Sequence, residues 1–256
     1  VNPKALPDIW KHLANERAMF AMDMNDIAVK IGPERQLFLD NYLIGKAEHV
    51  NREVHHPVRS DHNPLITDEK VLWKGRVMMF EESPRFRMWY LPEAHAHAWK
   101  KQPKTRWLTS YAVSEDGEHC TLPDLDIYEI PEWPRRNIAH PYGMMTGLFY
   151  EPWEEDPARR FKAVMYVQSW NIKDGKATKE YLIPKGYYLH TSPDGIHWET
   201  DEDHMVIPCT HPPYTIPQAG IGDTSYFWWD DVRKKYMGDT KWVLPDVLRC
   251  RAMMES

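Results

Sequence analysis

"YYLHTSPDGIHWET", residues 187–200, has a near copy earlier in the chain, "TSYAVSEDGEHCTL" at residues 109–122. Both stretches carry an extended run, a Ser-x-Asp-Gly turn, a histidine two residues after the glycine and a second extended run. Their serines, Ser114 and Ser192, are 78 residues apart. Asp-Gly between such runs is a strong signal for a tight reversal between antiparallel strands. The sequence therefore predicts a repeated strand-turn-strand unit.

A second repeated pattern predicts a β-hairpin ahead of each unit. An apolar strand, an acidic turn, basic residues and an aromatic strand follow one another in residues 75–91, 147–167 and 225–243. The first aromatic residue after the basic ones is Phe86, then Phe161, then Tyr236, a spacing of 75 residues each time. One hairpin and one turn unit together give four antiparallel strands per repeat.

Four-stranded units at a fixed period are typical of β-propeller blades, whereas a two-sheet sandwich gives no reason for a constant period. We therefore predict an all-β propeller with about three blades within residues 36–256. Ser256 stands where a third turn unit would begin, so we expect the chain to be the N-terminal portion of a longer protein. Further sequence or another chain would then supply the remaining blades. Residues 1–35 contain no β-rich run and predict a short helical or irregular extension.

Composition narrows the classes of partner. The net charge is −6 and no run of like charges occurs, so nothing indicates nucleic acid. The longest apolar runs are shorter than the ~20 residues that cross a bilayer, which indicates no membrane partner. The three cysteines are widely separated, and the histidine-rich stretches at residues 55–62 and 95–97 match no zinc spacing. We predict no metal-binding residue.

Several stretches together resemble a known family. "LFLDNYLIGKAEHVNREVHHPVRSDHNPLI" (37–66), "FRMWY" (86–90), "YAVSEDG" (111–117) and "SPDGIHW" (192–198) are similar to bacterial glycoside-hydrolase-like proteins. These are five-bladed β-propellers related to the invertase, levansucrase and arabinanase superfamily. The resemblance runs from about Arg35 to the last residue. It implies five blades, a secreted or periplasmic location, an oligo- or polysaccharide partner and hydrolysis of a glycosidic bond.

The resemblance also implies where the chemistry takes place. In that superfamily, carboxylates near the innermost strands of successive blades meet at one mouth of the channel. Hydrolysis needs one ionised and one protonated carboxyl group beside an oxocarbenium-like centre. Asp223 in the third repeat stands at the matching position. The second repeat has His140 there and no carboxylate, and Asp68 and Glu69 of the first repeat lie somewhat upstream. These four residues are the predicted catalytic groups.

Predicted substrate-binding residues surround those positions: Trp73, Lys74, Arg76, Tyr142 and Asn63. Trp73 is suited to stacking on a sugar ring, and core packing between blades explains it equally well. The prediction includes no cofactor and leaves open a structural divalent cation in the channel. Residues of the repeated turn itself are assigned to structure: Asp116, His119, Asp194, His197 and Trp198.

Two functions follow from the sequence. A hydrolase should hold two carboxyl groups within ~10 Å of each other at the channel axis. A non-catalytic propeller that binds glycans or a protein partner should present aromatic residues and histidine there without such a pair.

Overall fold

The computed structural model describes residues 31–33, 36, 41, 43–67, 71–93, 107–130, 134–173, 176–209, 220–222, 224–243 and 249–256. The chain divides into two compact units, Val1–Val58 and Arg59–Ser256. In the first unit, the Ile44 amide donates to the Asn41 carbonyl oxygen at 3.0 Å. All strands that the structure describes lie in the second unit. Of the extension predicted for residues 1–35, the structure describes only residues 31–33.

The all-β prediction is confirmed, since the structure is 46% strand and 2% helix. The first sheet contains β1 (Val71–Met79), β2 (Phe86–Pro92), β3 (Thr109–Ser114) and β4 (Ile138–His140). Its strands follow one another in chain order as antiparallel neighbours. No helix in the described part of the chain is long and apolar enough to cross a bilayer.

The second sheet is larger and curls as a half-barrel. Its strands are β5 (Met144–Tyr150), β6 (Phe161–Lys173), β7 (Lys176–Ser192), β8 (Met205–Pro208), β9 (Gly220–Ile221), β10 (Tyr226–Asp230), β11 (Lys235–Val243) and β12 (Arg249–Glu255). The order is β12-β11-β10-β5-β6-β7-β8, with β9 beside β11. Strands β5 to β8 therefore repeat the chain-order meander of the first sheet.

The three predicted hairpins are confirmed. β1–β2, β5–β6 and β10–β11 are antiparallel pairs, and their aromatic residues Phe86, Phe161 and Tyr236 occupy matching positions after each turn. The strand expected directly after each Asp-Gly turn is reduced to one bridge, Val113 with Thr121 and Thr191 with Glu199. The fourth strands, β4 and β8, begin further along the chain.

Local chemistry explains this delay. Pro123 follows the first bridge closely and has no backbone N–H to continue a ladder. After the second bridge, the Asp201 carboxylate accepts hydrogen bonds from the backbone amides of Asp203 and His204 at 3.0 and 3.2 Å. That turn diverts the backbone from the sheet.

The meander β5–β8 is buried on both faces. Successive residues of a strand point to opposite sides. On β6, Ala163, Met165 and Val167 lie in a core cluster with residues of the first sheet, including Trp89. Val164 and Tyr166 lie in a second cluster, which contains residues of β9 to β11. One face of the meander β5–β8 therefore packs against the first sheet, and the other packs against β9 to β11 of its own curled sheet. Strands β10–β12 are called the third meander below.

The first strands of the first two meanders lie side by side and run in the same direction. Nη2 of Arg76 on β1 donates to the Thr146 carbonyl oxygen on β5 at 2.6 Å. Four residues further along both strands, the rings of Phe80 and Tyr150 are 5.2 Å apart. The second contact lies four residues after the first in both segments, so β1 and β5 run in the same direction.

β10 continues this arrangement, because it pairs in parallel with β5 at Phe227 and Gly147. A Cβ atom on Gly147 would lie 2.8 Å from the Phe227 Cβ, so the close approach requires glycine. The three strands therefore begin at one end, and β1, β5 and β10 are called the inner strands below. The segments that precede them contain residues 68–70, 140–143 and 223–225.

Candidate functional site

A groove of about 670 Å³ runs along the inner strands. β5 and β10 pair at one position only, and the residues after that position form the two sides of the groove. Its lining comprises Arg76 and Met78 of β1, residues 148–153, residues 226–229 and Asp231. We call it the inner-strand groove.

Aromatic side chains line the inner-strand groove. Tyr150, Trp153, Tyr226 and Trp228 are exposed, and all four belong to its lining. Trp153 also approaches Trp229, with ring centroids 6.4 Å apart. Among the side chains that the structure describes, no other large aromatic is exposed. Rings presented to solvent in one groove suit the apolar face of a flat or cyclic ligand.

Arg76 supplies a positive charge to this groove. Its guanidinium carbon lies 4.9 Å from the centre of the Tyr226 ring, and its side chain is partly buried. Burial lowers the pKa of Arg76, and Tyr226 opposes that shift. Arginine nevertheless stays protonated at neutral pH. The structure thus brings one predicted substrate-binding residue into the aromatic groove.

A carboxylate cluster closes the far end of the groove. Lys162 Nζ donates to Glu151 at 2.5 Å and to Glu154 at 2.7 Å, and the Tyr236 hydroxyl donates to Glu151. Glu151 is only 5% exposed. Burial lowers the pKa of Lys162, but the hydrogen bonds to Glu151 and Glu154 outweigh burial and raise it overall. The Glu151 carboxylate is therefore occupied by two protein donors.

The predicted acids belong to the segments that precede the inner strands in the sequence. Asp223, Asp68 and Glu69 lie outside the described residues, and the same applies to the side chains of Trp73 and Lys74 on β1. Their catalytic and binding roles stay predictions.

The residues on both sides of Asp223 are firmly anchored. The Tyr187 hydroxyl donates to the Gly222 carbonyl oxygen and contacts Ser225 Oγ at 2.6 Å. The Gly222 amide donates to Lys241 O at 2.8 Å, and Arg251 donates to Thr224 O. Sequence reasoning missed these anchors because they join positions up to 38 residues apart.

His140 and Tyr142 meet in a buried cluster, called the histidine cluster below. His140 Nε2 lies 2.8 Å from His190 Nδ1, and the backbone amide of Tyr142 donates to His140 Nδ1 at 3.3 Å. Because Nδ1 of His140 accepts, its Nε2 must carry the proton that is donated to His190. Both imidazoles are 0% exposed. The contact joins β4 of the first sheet to β7 of the second.

Electrostatics keep this pair neutral. Burial lowers the pKa of His140 far below its usual value, and the neighbouring His190 adds to that shift. Burial lowers the pKa of His190 to about 4, although Glu202 and Asp201 act in the opposite direction. The buried Nε2 of His190 has no hydrogen-bond partner in the described structure, and neither has Nε1 of Trp198.

Sequence reasoning missed His190, although a signal for it existed. His190 occupies the position in the second turn unit that Ala112 occupies in the first. A histidine at a buried strand position where the other repeat has alanine indicates a specific polar contact, here the contact with His140.

Asn63 lies elsewhere. Its Nδ2 donates to Ser60 O at 3.2 Å in a surface turn, and the preceding His62 approaches Glu118 at 3.4 Å. Within the described residues, Asn63 shares no contact with Arg76 or the histidine cluster. Its binding role stays a prediction.

The repeated turns have the structural geometry that the sequence predicts. In each, an aspartate accepts from two backbone amides at 2.8 Å and binds a histidine Nδ1 at 2.6 Å: Asp116 with His119, and Asp194 with His197. Asp201 and His204 repeat the side-chain contact, which the sequence analysis did not find. Among the described residues, no group of three or more His, Cys, Asp or Glu side chains could hold a metal ion.

No family model and no curated protein matches the sequence. The resemblance to glycoside-hydrolase-like propellers therefore has no support from these comparisons, and membership of that family stays a prediction.

Proposed function

We propose that this chain forms blades of a carbohydrate-active β-propeller and binds a saccharide in the inner-strand groove. The fold part of the proposal is supported by core contacts on both faces of the middle meander and by three inner strands that run in the same direction. In a propeller, the innermost strands of successive blades surround a central channel. The inner-strand groove would then form part of that channel.

The third meander follows the register of the other two. The Ser256 amide donates to Tyr236 O at 3.1 Å, while Ser114 pairs with Phe86 and Ser192 with Phe161. The serine of each repeat therefore stands opposite the same aromatic position. This agreement supports treating β10–β12 as a third blade.

Saccharide binding rests on one observation, the convergence of every described exposed aromatic side chain on one groove. β10 spans about 17 Å at the usual strand rise, which is long enough for a short oligosaccharide. Aromatic faces and a few polar groups form the usual lining of such sites.

Hydrolysis is the second part of the proposal. The inner strands begin at the same end, so Asp223 and the pair Asp68 and Glu69 would approach one another there. A separation of ~5 to 5.5 Å between two carboxyl groups would favour retention of configuration, and ~6.5 to 9.5 Å would favour inversion. Hydrogen bonds from Tyr187 and to Lys241 anchor Gly222, the residue that precedes Asp223 in the sequence.

Glycan binding without hydrolysis is the alternative, and one observation favours it. The described carboxylates of the groove already have protein partners, since Glu151 binds Lys162 and Asp231 accepts from Trp229 Nε1 at 3.0 Å. The presence or absence of turnover separates the two functions.

Calorimetric titration with a panel of oligosaccharides tests the binding step. We expect Trp228→Ala to weaken binding about tenfold through loss of ring stacking. The control is Met253→Ala, which alters an exposed side chain outside the groove and should bind as the unmodified protein does. A folded protein that binds no saccharide, or equal binding by Trp228→Ala, would refute the proposal.

Turnover of aryl glycosides and oligosaccharides tests the hydrolytic step. We expect Asp223→Asn to lower kcat at least about 100-fold while saccharide binding persists. Asp231→Asn, at the other end of the groove, should keep its turnover. If Asp223→Asn hydrolyses as fast as the unmodified protein, Asp223 has no catalytic role. If the unmodified protein binds saccharides without turnover, the function is glycan binding.

A further inference from the structure

We infer that Arg76 makes the inner-strand groove selective for saccharides that carry an anionic group, either a carboxylate or a sulfate ester. This inference rests on the proposed saccharide binding and adds the chemical class of the ligand.

The first argument is that no residue in the described part of the chain supplies a counter-charge to Arg76. Its described contacts are the carbonyl oxygens of Thr146 and Gly75, at 2.6 and 3.4 Å, and the face of the Tyr226 ring. These partners are neutral. A partly buried charge without an ionic partner is unfavourable, and an anion bound beside it would remove much of that penalty.

Other cations in the structure show the contrast. Arg251 binds Asp239 at 2.8 Å, Arg136 binds Asp126 at 2.8 Å, and Lys162 binds two glutamates. These cations already have carboxylate partners within the described protein. Arg76 differs in lining a groove that a ligand can enter.

The second argument concerns the donors that remain. A guanidinium carries five N–H groups in a planar fork that matches carboxylate or sulfate oxygens. In the described structure, Thr146 O and Gly75 O accept from one N–H group each, so three N–H groups have no protein acceptor. The contact with Thr146 and the Tyr226 ring also fixes the plane of the fork. Arg76 is therefore already positioned for an anionic oxygen.

The negative groups of the groove do not cancel this selectivity. Lys162 lies between Glu151 and Glu154, and Lys234 approaches Asp231 at 3.4 Å. These pairs lie at the hairpin-turn end of the inner strands, whereas Tyr226, beneath Arg76, is the first residue of β10. The anionic group would accordingly bind beside Arg76 and Tyr226, away from these pairs.

The test is calorimetric titration with three probes: oligogalacturonate, its methyl ester and a sulfated galactose oligosaccharide. The ester keeps the sugar framework and removes only the charge. We expect the unmodified protein to bind at least one charged probe about tenfold more tightly than the ester, and added NaCl to reduce that preference. The probe that is preferred tells a carboxylate ligand from a sulfate ligand.

Three variants assign the preference. Arg76→Gln should bind charged and esterified probes equally, and Arg76→Lys should keep a reduced preference because it retains charge without the planar fork. Arg87→Gln is the matched control, since Arg87 lies 4.1 Å from the Phe80 ring and outside the groove lining. It should keep the full preference. Circular dichroism shows that each variant is folded.

The outcomes separate the two proposals. Equal binding of the ester and both charged probes by the unmodified protein would overturn the anionic ligand and leave saccharide binding intact. A charge preference that survives in folded Arg76→Gln would also overturn it. Failure of the folded protein to bind any saccharide would overturn the proposed function and this inference together.

Discussion

The imidazoles of His140 and His190 share a hydrogen bond of 2.8 Å across the boundary between the two sheets. Four neighbours act on this pair: the Tyr142 ring, 5.2 Å from His140; the Trp198 ring, 6.2 Å from His140; and the charges of Glu202 and Asp201, which act on His190. The bond exists only while one nitrogen of the pair can accept a proton. The contact between the two sheets at this point therefore depends on pH.

Stability should therefore fall in acid. The folded pKa values of both histidines lie below their unfolded value, so the unfolded state binds more protons as pH drops below about 6.5. The stabilisation is complete above that pH and is lost as pH falls towards about 4, the folded pKa of His190. We expect His190 to contribute a loss of roughly 3 kcal/mol, measured by urea unfolding at pH 7, 5.5 and 4.5.

His119→Gln is the control for that experiment. The hydrogen bond that His119 donates to the Asp116 carboxylate raises the pKa of the exposed His119. The contribution of His119 to stability therefore has the opposite sign and is complete below pH 6.5. His119→Gln should keep the acid-induced loss. His190→Asn should reduce the loss, and an unchanged pH profile in that variant would contradict the prediction.

Gly195→Ala should destabilise the contact between the first two meanders. Gly195 has φ +80°, its carbonyl oxygen accepts from Trp89 Nε1 at 2.6 Å, and an added Cβ would lie 2.6 Å from the Trp89 ring. We expect a loss of about 3 kcal/mol in unfolding free energy from backbone strain and steric overlap together. Gly117→Ala shares the positive φ, but its nearest atom is 3.4 Å away, so strain alone should remove about 1 to 2 kcal/mol. Equal losses in the two variants would refute the role of Trp89.

Lys162→Met should leave the Glu151 carboxylate buried without its cation. We expect a loss of about 2 kcal/mol in unfolding free energy at pH 7. Lys235→Met removes an exposed ion pair with Glu255 and should change stability by less than about 1 kcal/mol. Chemical denaturation of both variants is the measurement, and similar values would show that burial adds nothing to the Lys162 contacts.

Tyr187→Phe should reveal whether the anchors beside Asp223 matter for hydrolysis. The variant loses the hydroxyl that contacts Gly222 and Ser225, so we expect kcat to fall about tenfold while KM stays constant. Tyr188→Phe removes a comparable hydrogen bond, from the hydroxyl to Pro184 O at 2.7 Å, and should retain kcat. Both variants should lose about 1 kcal/mol of stability. A fall in kcat that is equal in the two would assign the effect to stability alone.

The hairpins were predictable because their signals are local. The spacing of Phe86, Phe161 and Tyr236 locates each turn, and alternation along the strand gives the pairing. The start of the fourth strand was not predictable in the same way, since β4 and β8 each follow an irregular stretch after a single bridge. Their position depends on packing against the neighbouring meander.

The candidate site shows the same division. Arg76 was predicted as a binding residue, but its contact with Thr146 crosses 70 residues of sequence and its neighbour Tyr226 comes from another repeat. His140 was predicted as a polar group for catalysis, yet its partner His190 lies 50 residues away on a different sheet. Residue type indicates that such side chains need partners. Only the folded chain determines which partners they find.

The meander β5–β8 has no free face, and this has a consequence for folding cooperativity. The two outer meanders pack on opposite faces of the middle one through separate core clusters, as neighbours do in an array of repeats, and they meet each other at Arg76 and Tyr226. Nucleation within β5–β8 would provide a surface for propagation in both directions. On β6, a substitution at an odd-numbered position such as Met165 should disturb the contact with the first sheet. A substitution at an even-numbered position such as Val164 should disturb the contact with β9 to β11.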